Sequence, residues 1–538
     1  MGTDTDTDTG RPVTSRRREV SVNRRIQPAF GRLPLCRGRC LLPSVIGMLG
    51  AVSTLAHAQE GRGFTLESSV GIRETLTSNV RMQSGNDARS DLITEVSPRV
   101  RLSSGAGRLQ GSFDYSLRGL VYARESSSRE VQQALRAQGS YEAVENWAFV
   151  DASASVSQQS TSAFGTRSSD NALIDSNRSE VLTYQLAPYV RGRLGGFANY
   201  EARWSWASTS SQSSKSDSTS QTTSLSLSSD SSTFARLGWS AAYSRQTSEF
   251  GSRGSRKNYS LNGTLFYAVS PELRLQANAG RESNDLTSQG NEQSSTWGWG
   301  ANWRPTERTS LDVKRNHRFF GDSTNISFQH RMPRSVWTFS TSRDLNTSAL
   351  SNGAGTPQTV FDLLFVQFAS IAPDPVQRTA LVDAFLRNNG LDRTTLANGG
   401  FLTSTASVQR NDRFSVALLG LRTTLLLSAS RNQSRATDAS AAEAGDLSNG
   451  NRLRSRSFGV NLSHRLTPKQ GLSGDLSLTR TNGRAGDRST ELKSFTASWS
   501  NSLTQDVSLS LSARRSLFGS PTDPYNESAI VANLSVRF

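Results

Sequence analysis

The chain of 538 residues is longer than one ordinary soluble domain, yet no Pro-rich or charged linker divides it. Only 35% of the residues are hydrophobic, the mean hydropathy is -0.49, and after the first 58 residues no apolar run approaches the roughly 18 residues of a transmembrane helix, which excludes a helical membrane bundle. The formal charge is +16, but the charges are scattered along the chain, so nucleic acid is not expected as a partner.

The first 58 residues have the pattern of an export signal. A long basic leader runs through Arg39, an apolar core covers about residues 40–55, and Ala56-His57-Ala58 forms an A-x-A cleavage site. We therefore predict a signal peptide over residues 1–58 that is cleaved near Ala58. The leader holds nine Arg against four acidic residues, so the mature chain keeps +11 of the +16. Both cysteines, Cys36 and Cys40, lie in the leader, which excludes disulfide and Cys-metal chemistry from the mature chain.

After the leader, segments of about ten to fourteen residues alternate between apolar and polar positions, and their connections alternate between short and long. In one segment Leu273 and Leu275 share a face, while Arg274 and Gln276 lie on the other. An apolar face beside a face of mixed charges indicates a wall between lipid and an enclosed polar lumen. Counting gives about 22 strands, within a range of about 18 to 24. The sequence therefore predicts an all-β fold, a transmembrane antiparallel β-barrel over residues 59–538.

The short connections contain Gly, Pro, Asn or Thr, which favour tight turns. We expect them at the periplasmic end and the long loops outside. The turns are predicted at residues 105–107, 144–146, 192–196, 230–232, 270–271, 305–306, 333–334, 411–412, 467–468 and 503–504.

The chain ends on an alternating strand, Asn526 to Phe538. Leu534, Val536 and Phe538 lie on its apolar face. This strand resembles the C-terminal signal strand of bacterial outer-membrane barrels, which closes the barrel. The resemblance implies that these three residues are an assembly signal and that the barrel assembly machinery is a partner.

Residues 357–400 break the alternation. Segments 360–368 and 373–387 have the apolar spacing of helices, so we predict a helical hairpin inserted in an extracellular loop. An apolar stripe of this kind is not left exposed at no cost, so it is predicted to be a gate at the barrel mouth or a docking element for a partner. The stripe consists of Val376, Leu381, Ala384 and Phe385.

Several motifs follow one another in the second half of the chain. They are Arg318-Phe319-Phe320-Gly321-Asp322, Phe328-Gln329-His330-Arg331, the segment from Trp337 to Arg343, Asp374-Pro375 within the insert, and the restart at Phe401-Leu402-Thr403. Together they resemble the outer-membrane β-barrel family associated with the PEP-CTERM/exosortase system. The resemblance covers most of the mature chain and implies a Gram-negative cell envelope near exopolysaccharide biosynthesis and export. That family has no assigned activity.

Basic residues on the polar strand faces are predicted to line the lumen. These are Arg99, Arg101, Arg203, Arg274, Lys314, Arg514 and Arg537. They either favour anions along a pore or an acidic-glycan path, or they pair with acids such as Glu95, Glu201 and Glu272. The opposite, apolar parity includes Trp204, Trp206, Trp297, Trp299 and Trp303. These are predicted to face lipid as an interfacial girdle, with a sugar-stacking platform as the alternative.

No enzyme activity, cofactor or metal site is predicted. Gly321-Asp322-Ser323 is similar to the nucleophile motif of GDSL esterases, but the Asp-x-x-His that completes that site is missing, and a Gly-Asp turn between strands accounts for the motif. The histidines of the mature chain, His317, His330 and His464, have no nucleophile motif beside them.

Two functions remain open. The first is a porin-like channel or conduit linked to exopolysaccharide export or envelope assembly. The alternative is a non-transporting structural or anchoring barrel whose loops bind surface glycan or PEP-CTERM-type proteins. The expected partners are outer-membrane lipid and lipopolysaccharide, with exopolysaccharide or its export machinery as further candidates. Whether the lumen is open separates the two functions.

Overall fold

A computed structural model describes residues 63–347 and 401–538, apart from gaps at 106, 126–127, 213–216, 231–233, 252–254, 287–289, 291, 404, 438–444 and 485–487. Between 348 and 400 it describes only residues 361, 364, 365, 368, 378, 379, 382, 383 and 386. The predicted signal peptide, residues 1–58, lies outside the described residues and stays a prediction.

The described chain is a sequence of antiparallel strands. They are β1 Phe64–Thr77, β2 Asp91–Ser104, β3 Leu109–Tyr122, β4 Arg129–Val144, β5 Ala148–Ser160, β6 Arg178–Leu194, β7 Ala198–Ser211, β8 Ser218–Ser229, β9 Leu237–Phe250, β10 Ser255–Ala268, β11 Leu273–Asn284, β12 Glu292–Thr306, β13 Thr309–Arg318, β14 Gly321–Met332, β15 Ser335–Asn346, β16 Ser407–Leu419, β17 Thr423–Ala436, β18 Arg452–Arg465, β19 Gln470–Asn482, β20 Ser489–Ser502, β21 Val507–Gly519 and β22 Tyr525–Arg537.

Each strand pairs with the next along the chain, and the last pairs with the first. β22 lies antiparallel to β1 from Ser69 opposite Arg537 to Thr77 opposite Ala529, which closes a 22-stranded sheet. The predicted all-β barrel and its strand count are thereby confirmed. Closure leaves no sheet edge, so the backbone groups of every described strand are paired within the wall.

The two faces of each strand differ as the alternation predicts. On β1, Ile72 and Leu76 are 46% and 54% exposed on the outside, whereas the inward Thr75 and Thr77 are each 1% exposed. Exposed Leu, Val, Phe and Trp residues continue this outer belt around the wall, as at Trp299. A continuous apolar belt of this size is stable in lipid rather than in water, so the wall has the architecture of a transmembrane barrel.

The inner face is held by short polar side chains from neighbouring strands. Ser477 and Ser494 of β19 and β20 bring their Oγ atoms to 2.7 Å, and Ser457 contacts Thr479 at 3.1 Å. Such side chains hydrogen-bond one another across the ladder without filling the interior. The abundant Ser of this sequence therefore belongs to the lumen side of the wall.

Nine of the ten predicted short turns lie at or beside strand ends at one end of the barrel, although only Asp230 of the turn at 230–232 is described, and one prediction is wrong. Asn411 and Asp412 lie in the middle of β16, and the turn is at residues 420–422, where the Gly420 N–H donates to the Thr423 carbonyl at 2.7 Å. The Asp412 carboxylate stays within the strand because it contacts the Arg410 guanidinium at 3.0 Å and accepts a hydrogen bond from the Thr341 hydroxyl.

The predicted helical hairpin between residues 357 and 400 is not supported. The helical elements with defined bounds are 3-10 turns at Gly85–Asp87 and Gly445–Gly450. The predicted stripe, Val376, Leu381, Ala384 and Phe385, lies outside the described residues. Leu364, Phe368, Val382 and Leu386 of the same connection are buried against the barrel wall rather than exposed. Among the described residues, no helix is long and apolar enough to cross a membrane.

Candidate functional site

The connection between β5 and β6, residues 161–177, folds into the barrel mouth. We call it the inward loop. Ala163 and Leu173 are fully buried, and Asp170 is 7% exposed. A loop is normally solvated because its backbone groups need partners. Burial on this scale therefore requires that the wall supplies those partners.

The inward loop is first stabilised by its own side chains. The Asn177 Nδ2 donates to the carbonyl oxygens of Ser162 and Thr166, at 3.0 and 2.9 Å, while its Oδ1 accepts from the Ser162 N–H at 2.9 Å. A Cβ at Gly165 would lie 2.4 Å from the Asn177 side chain, so only glycine fits there. These bonds tie the two ends of the loop together before it reaches the wall.

Asp170 ties the inward loop to the wall on the lumen side. Its Oδ2 lies 2.6 Å from Arg73 Nη2 of β1 and 2.6 Å from Arg514 Nη1 of β21. Arg514 in turn contacts Glu527 of β22 at 2.8 Å, and the Thr77 hydroxyl donates to the same carboxylate at 2.9 Å. Burial acts to raise the pKa of the Asp170 carboxyl, but the two guanidinium groups outweigh it and hold this pKa well below its usual range.

Apolar packing and two tyrosines complete this contact. Leu173 and Ala172 lie in a cluster with wall and loop residues Val80, Met82, Ile93, Leu120, Tyr122, Phe518 and Tyr525. The Tyr122 hydroxyl donates to the Ala172 carbonyl at 2.9 Å, and the Tyr525 hydroxyl donates to the Arg167 carbonyl at 2.5 Å. Burying one Leu contributes roughly 2 kcal/mol. The loop is therefore docked on β1–β3 and β21–β22 by charge, hydrogen bonds and apolar area together.

The other side of the inward loop contacts two further connections. The Asp446 carboxylate, in the β17–β18 connection, accepts from the Ala163 N–H at 2.6 Å and from the Ser162 hydroxyl at 3.1 Å. Before β16, Phe401 packs in one buried cluster with Ala163 of the loop, and the Leu402 N–H donates to the carbonyl of Ser160, the last residue of β5, at 3.1 Å. Segments from several parts of the wall thus meet inside the mouth.

A second segment occupies the lumen nearer the short-turn end. Leu364, Phe368, Val382 and Leu386 form a buried cluster with Val336, Ala417 and Leu426. Those wall residues lie opposite one another in the register of β15–β17, close to the turns at 333–334 and 420–422. The connection leaves β15 at the long-loop end, so these contacts place it inside the barrel.

This lumenal segment also reaches a distant part of the wall. The Asp383 carboxylate lies 2.9 Å from Arg101 Nη1 of β2, and the Arg378 guanidinium stacks on the Phe365 ring at 4.8 Å. β2 is eight strands away from β16 around the closed sheet by the shorter route. The segment therefore spans the lumen.

The predicted lumen residues do not form one continuous basic path. Arg99 makes a two-pronged contact with Asp114 at 2.8 and 2.9 Å, and Arg203 contacts Asp151 at 2.8 Å and Glu201 at 3.0 Å. Arg537 lies at the barrel end, 3.3 Å from Asp506. Arg101 and Arg514 hold the lumenal segment and the inward loop, Lys314 lies 3.9 Å from Asp312, and Arg274 is exposed at the short-turn end.

The acids proposed as their partners are divided. Glu201 pairs with Arg203 as expected, whereas Glu95 lies near Arg73 and Arg118, at 3.8 and 3.6 Å. Glu272 lies in a turn and accepts from the Ser270 hydroxyl. Several of these pairs join neighbouring strands rather than crossing the lumen.

The closing strand and the remaining predicted residues have simple surroundings. The Phe538 N–H donates to the Ser68 carbonyl of β1 at 2.8 Å, and the Phe538 side chain is 73% exposed. Leu534 and Val536 lie opposite Ile72 and Val70. Exposed tryptophans on the outer face include Trp204, Trp297, Trp299 and Trp303.

His317, His330 and His464 each hydrogen-bond to a side chain of the neighbouring strand. His317 contacts Asp322 at 3.3 Å, His330 contacts Thr309 at 2.8 Å, and His464 contacts Thr423 at 2.8 Å. Gly321 opens β14 with φ 94, which matches a turn position. Within the described part of the chain, no group of three or more His, Cys, Asp or Glu is placed to hold a metal ion.

Sequence reasoning missed the inward loop and its anchor Asp170. The available signal was the run Ala172-Leu173-Ile174, an apolar stretch inside a connection that is otherwise Ser- and Asp-rich. The partners of Asp170 lie 97 and 344 residues away along the chain, so no local pattern marks the contact.

No family model and no curated protein matches this chain. Among solved structures, it is similar to the FrpB iron transporter from Neisseria meningitidis (F5-1 variant), with 12% identity, a TM-score of 0.46, and 88% of this chain and 82% of that chain covered. It is also similar to the siderophore receptor PirA from Pseudomonas aeruginosa, with 12% identity, a TM-score of 0.35, and 88% and 80% covered. Identities and scores this low carry no information about what this chain binds.

Proposed function

We propose that the protein is an outer-membrane conduit that two of its own segments hold closed. The observation that carries the proposal is the inward loop, anchored by Asp170 to two arginines of the lumen wall. The segment anchored by Asp383 to Arg101 forms a second closure nearer the short-turn end. A barrel of about 22 strands is wide enough to need a plug, and such barrels serve as transporters when the plug moves.

The setting we propose is exopolysaccharide export or envelope assembly in the outer membrane. Its support is the sequence resemblance to the PEP-CTERM-associated barrels. In the outer membrane, the long loops and the barrel end that holds the inward loop would face the cell exterior. The barrel assembly machinery would insert the chain by its last strand. Export of exopolysaccharide by a strain that lacks the protein, compared with its complemented parent, tests this setting separately from gating.

The closures lie in series, so opening one alone should have little effect. Four proteins test this in planar bilayers: the wild type, a variant in which residues 357–400 are replaced by a short Gly-Ser linker, Asp170→Asn, and the double variant. Asn346 and Ser407 are paired neighbours at the ends of β15 and β16, so a short connection preserves the strand register. We expect low conductance from the first three and a severalfold higher conductance from the double variant.

Asp170→Asn is expected to release the inward loop because it removes the carboxylate that contacts Arg73 and Arg514. Each of these arginines loses a carboxylate contact, while Arg514 keeps Glu527. Removing one partner of a buried ion pair costs about 3 kcal/mol. That is roughly a hundredfold change in the ratio of docked to undocked loop. Asp114→Asn is the matched control, since Asp114 pairs with Arg99 within the wall. Added to the linker variant, it should leave conductance unchanged.

The alternative function, a non-transporting structural or anchoring barrel, predicts a different conductance for the double variant. If the double variant is folded, as judged by heat-modifiable migration on a gel, and still shows baseline conductance, the conduit is refuted and the structural or anchoring function is favoured. If Asp114→Asn raises conductance as much as Asp170→Asn, the effect is a general loosening of the wall rather than release of the inward loop.

A further inference from the structure

The last residue of each short turn has an equivalent place in the barrel. Its carbonyl oxygen accepts a hydrogen bond from an N–H at the end of the adjacent hairpin, as Arg308 does from Arg331 and Arg422 does from Arg465, both at 2.8 Å. In four consecutive turns, from the β12–β13 turn to the β18–β19 turn, this last residue is basic. These residues are Arg308, Arg334, Arg422 and Lys469. Together with Arg331 and Arg465 we call them the basic sector.

The ten short turns differ in charge around the barrel end. The four turns of the basic sector hold four basic residues and one acidic residue, Glu307. The other six turns hold two basic and four acidic residues, which are Arg108, Arg236, Glu145, Asp230, Glu272 and Asp506. Basic residues also occur elsewhere at this end, but the turns carry an excess of positive charge on one side and of negative charge on the other.

The basic sector has the strand parity that faces the lumen. Arg331 lies opposite Val336, which is buried in the lumenal cluster with Leu364. The register of β13 with β14, continued by one residue beyond its last pair, places Arg308 opposite Arg331. Opposed residues in a sheet have Cβ atoms about 5 Å apart, so like charges in these positions destabilise the pairing. An anion held between them would offset that repulsion.

The same arrangement recurs two hairpins further along the chain. The register of β17 with β18, continued by one residue, places Arg422 opposite Arg465. Both have the parity opposite to Leu462, which is exposed on the outer face. The basic sector therefore lines the short-turn entrance to the lumen, on the short-turn side of the buried cluster of the lumenal segment.

Within the described part of the chain, no carboxylate forms an ion pair with a residue of the basic sector. Arg331 Nη2 donates to the backbone carbonyl of Glu307 at 2.7 Å, and Arg465 Nη2 donates to the carbonyl of Leu421 at 3.1 Å. The acids that flank the sector have other contacts: Glu272 accepts from a serine hydroxyl at 2.7 Å, and Asp506 lies 3.3 Å from a guanidinium outside the sector. A guanidinium group has five N–H donors, so these arginines keep donors for an anion from outside the chain.

The length of the basic sector indicates the shape of that anion. Neighbouring strands lie about 4.8 Å apart, so successive turns are about 10 Å apart and four of them extend over about 30 Å. A row of charges of this length matches a linear polymer with repeated negative charges better than a compact ion. Because the parity of the sector is toward the lumen, a lipid headgroup outside the wall fits it less well.

We propose that the basic sector binds a linear, carboxylate-bearing polysaccharide at the short-turn, periplasmic entrance of the barrel. A guanidinium group donates two parallel hydrogen bonds to a carboxylate, which suits arginine to this class of ligand. This inference rests on the proposed conduit and its setting, and it names the substrate class as an anionic rather than a neutral glycan.

The test is a calorimetric titration of the folded, purified protein in detergent with a galacturonate hexamer and with its fully methyl-esterified form. Esterification removes the negative charges and keeps the sugar chain. Arg308→Gln, Arg334→Gln and Arg422→Gln are combined in one variant. The matched control combines Arg89→Gln, Arg484→Gln and Arg488→Gln, which remove the same charge from exposed positions in the long loops. Heat-modifiable migration on a gel verifies that each variant is folded.

We expect the wild type and the control variant to bind the acid form with equal affinity and not to bind the ester. Exposed charge contacts contribute roughly twofold each, so the sector variant should bind the acid form roughly tenfold more weakly. Equal binding of the ester, no binding by the folded wild type, or equal weakening in both triple variants would overturn the proposal.

A lipid ligand is tested by repeating the titration in nanodiscs that contain phosphatidylglycerol. Loss of hexamer binding there would mean that lipid headgroups occupy the basic sector, and retained binding supports the glycan. The conductance of the linker and Asp170→Asn double variant is a separate measurement. Baseline conductance with intact hexamer binding would refute the conduit alone, whereas high conductance without hexamer binding would refute the anionic substrate alone.

Discussion

The wall and the mouth of this barrel are stabilised in different ways. Each described wall strand pairs with its neighbour along the chain, and the β22–β1 contact joins the two ends of that series. The mouth is held by individual side chains far apart in sequence, such as Asp170 with Arg514, 344 residues away. Wall pairing is repeated along whole strands, whereas each mouth contact is single. The mouth can therefore open by breaking a few side-chain contacts while the strand pairing of the wall stays intact.

The wall should be most sensitive at its closing strand. Deleting Phe538, or replacing it with Ser, is expected to reduce the folded fraction strongly, because the last strand supplies the pairing with β1 and Phe538 ends the predicted assembly signal. Heat-modifiable migration on a gel measures the folded fraction. A wild-type folded fraction in the deletion variant would show that Phe538 is not part of an assembly signal.

The mouth should respond to acid in a particular pH window. The pKa of Asp170 is held below its usual range, so this carboxylate stabilises the docked loop above about pH 4 and loses that effect as pH falls through its docked pKa. Burial raises the pKa of Asp175, so docking is favoured as this second loop carboxyl takes up its proton. In the linker variant, conductance should stay low from pH 7 to about pH 4 and rise only below it.

The Asp170→Asn variant controls the acid response. With Asn at this position the linker variant should conduct already at pH 7 and show no further rise below pH 4. A rise at pH 5 to 6 in the parent linker variant would mean that another group controls the inward loop.

Smaller effects are expected from the tyrosines at the mouth. Tyr122→Phe and Tyr525→Phe each remove one hydroxyl that donates to a carbonyl of the inward loop, while keeping the ring in its cluster. Each change should weaken docking by about 1 kcal/mol. In the linker variant, the weaker docking of the inward loop should appear as a modest increase in the number of channel openings. Tyr267→Phe, on the exposed outer face, is the control and should change nothing.

The sequence predicts the wall well because alternation is a local property. The outward face of Leu273 and the inward face of Arg274 can be assigned without reference to any other strand. The same alternation assigns the outward face of Phe538. It failed at Asn411 and Asp412, where polar residues typical of a turn are kept in a strand by Arg410 and Thr341. Turn prediction uses local composition only, so it does not include contacts with the neighbouring strand.

The mouth could not be predicted in the same way. The sequence identifies Arg514 as a lumen residue, but its partner Asp170 lies in a loop with no period of its own. Contacts between distant segments follow from the closed geometry, which one sequence does not encode in any local pattern.

A reversible covalent lock on the inward loop tests the central claim most directly. The Oγ atoms of Ser169 and Ser516 are 2.7 Å apart, so Ser169→Cys with Ser516→Cys places two thiols within reach of a disulfide. The pair is introduced into the linker and Asp170→Asn double variant, whose two native cysteines, Cys36 and Cys40, lie in the predicted signal peptide. The control pair is Ser477→Cys with Ser494→Cys, at the same 2.7 Å within the wall. We predict that oxidation of the first pair lowers conductance to baseline and that reductant restores it, while the control pair has no effect. Unchanged conductance after verified formation of the first disulfide would contradict the account.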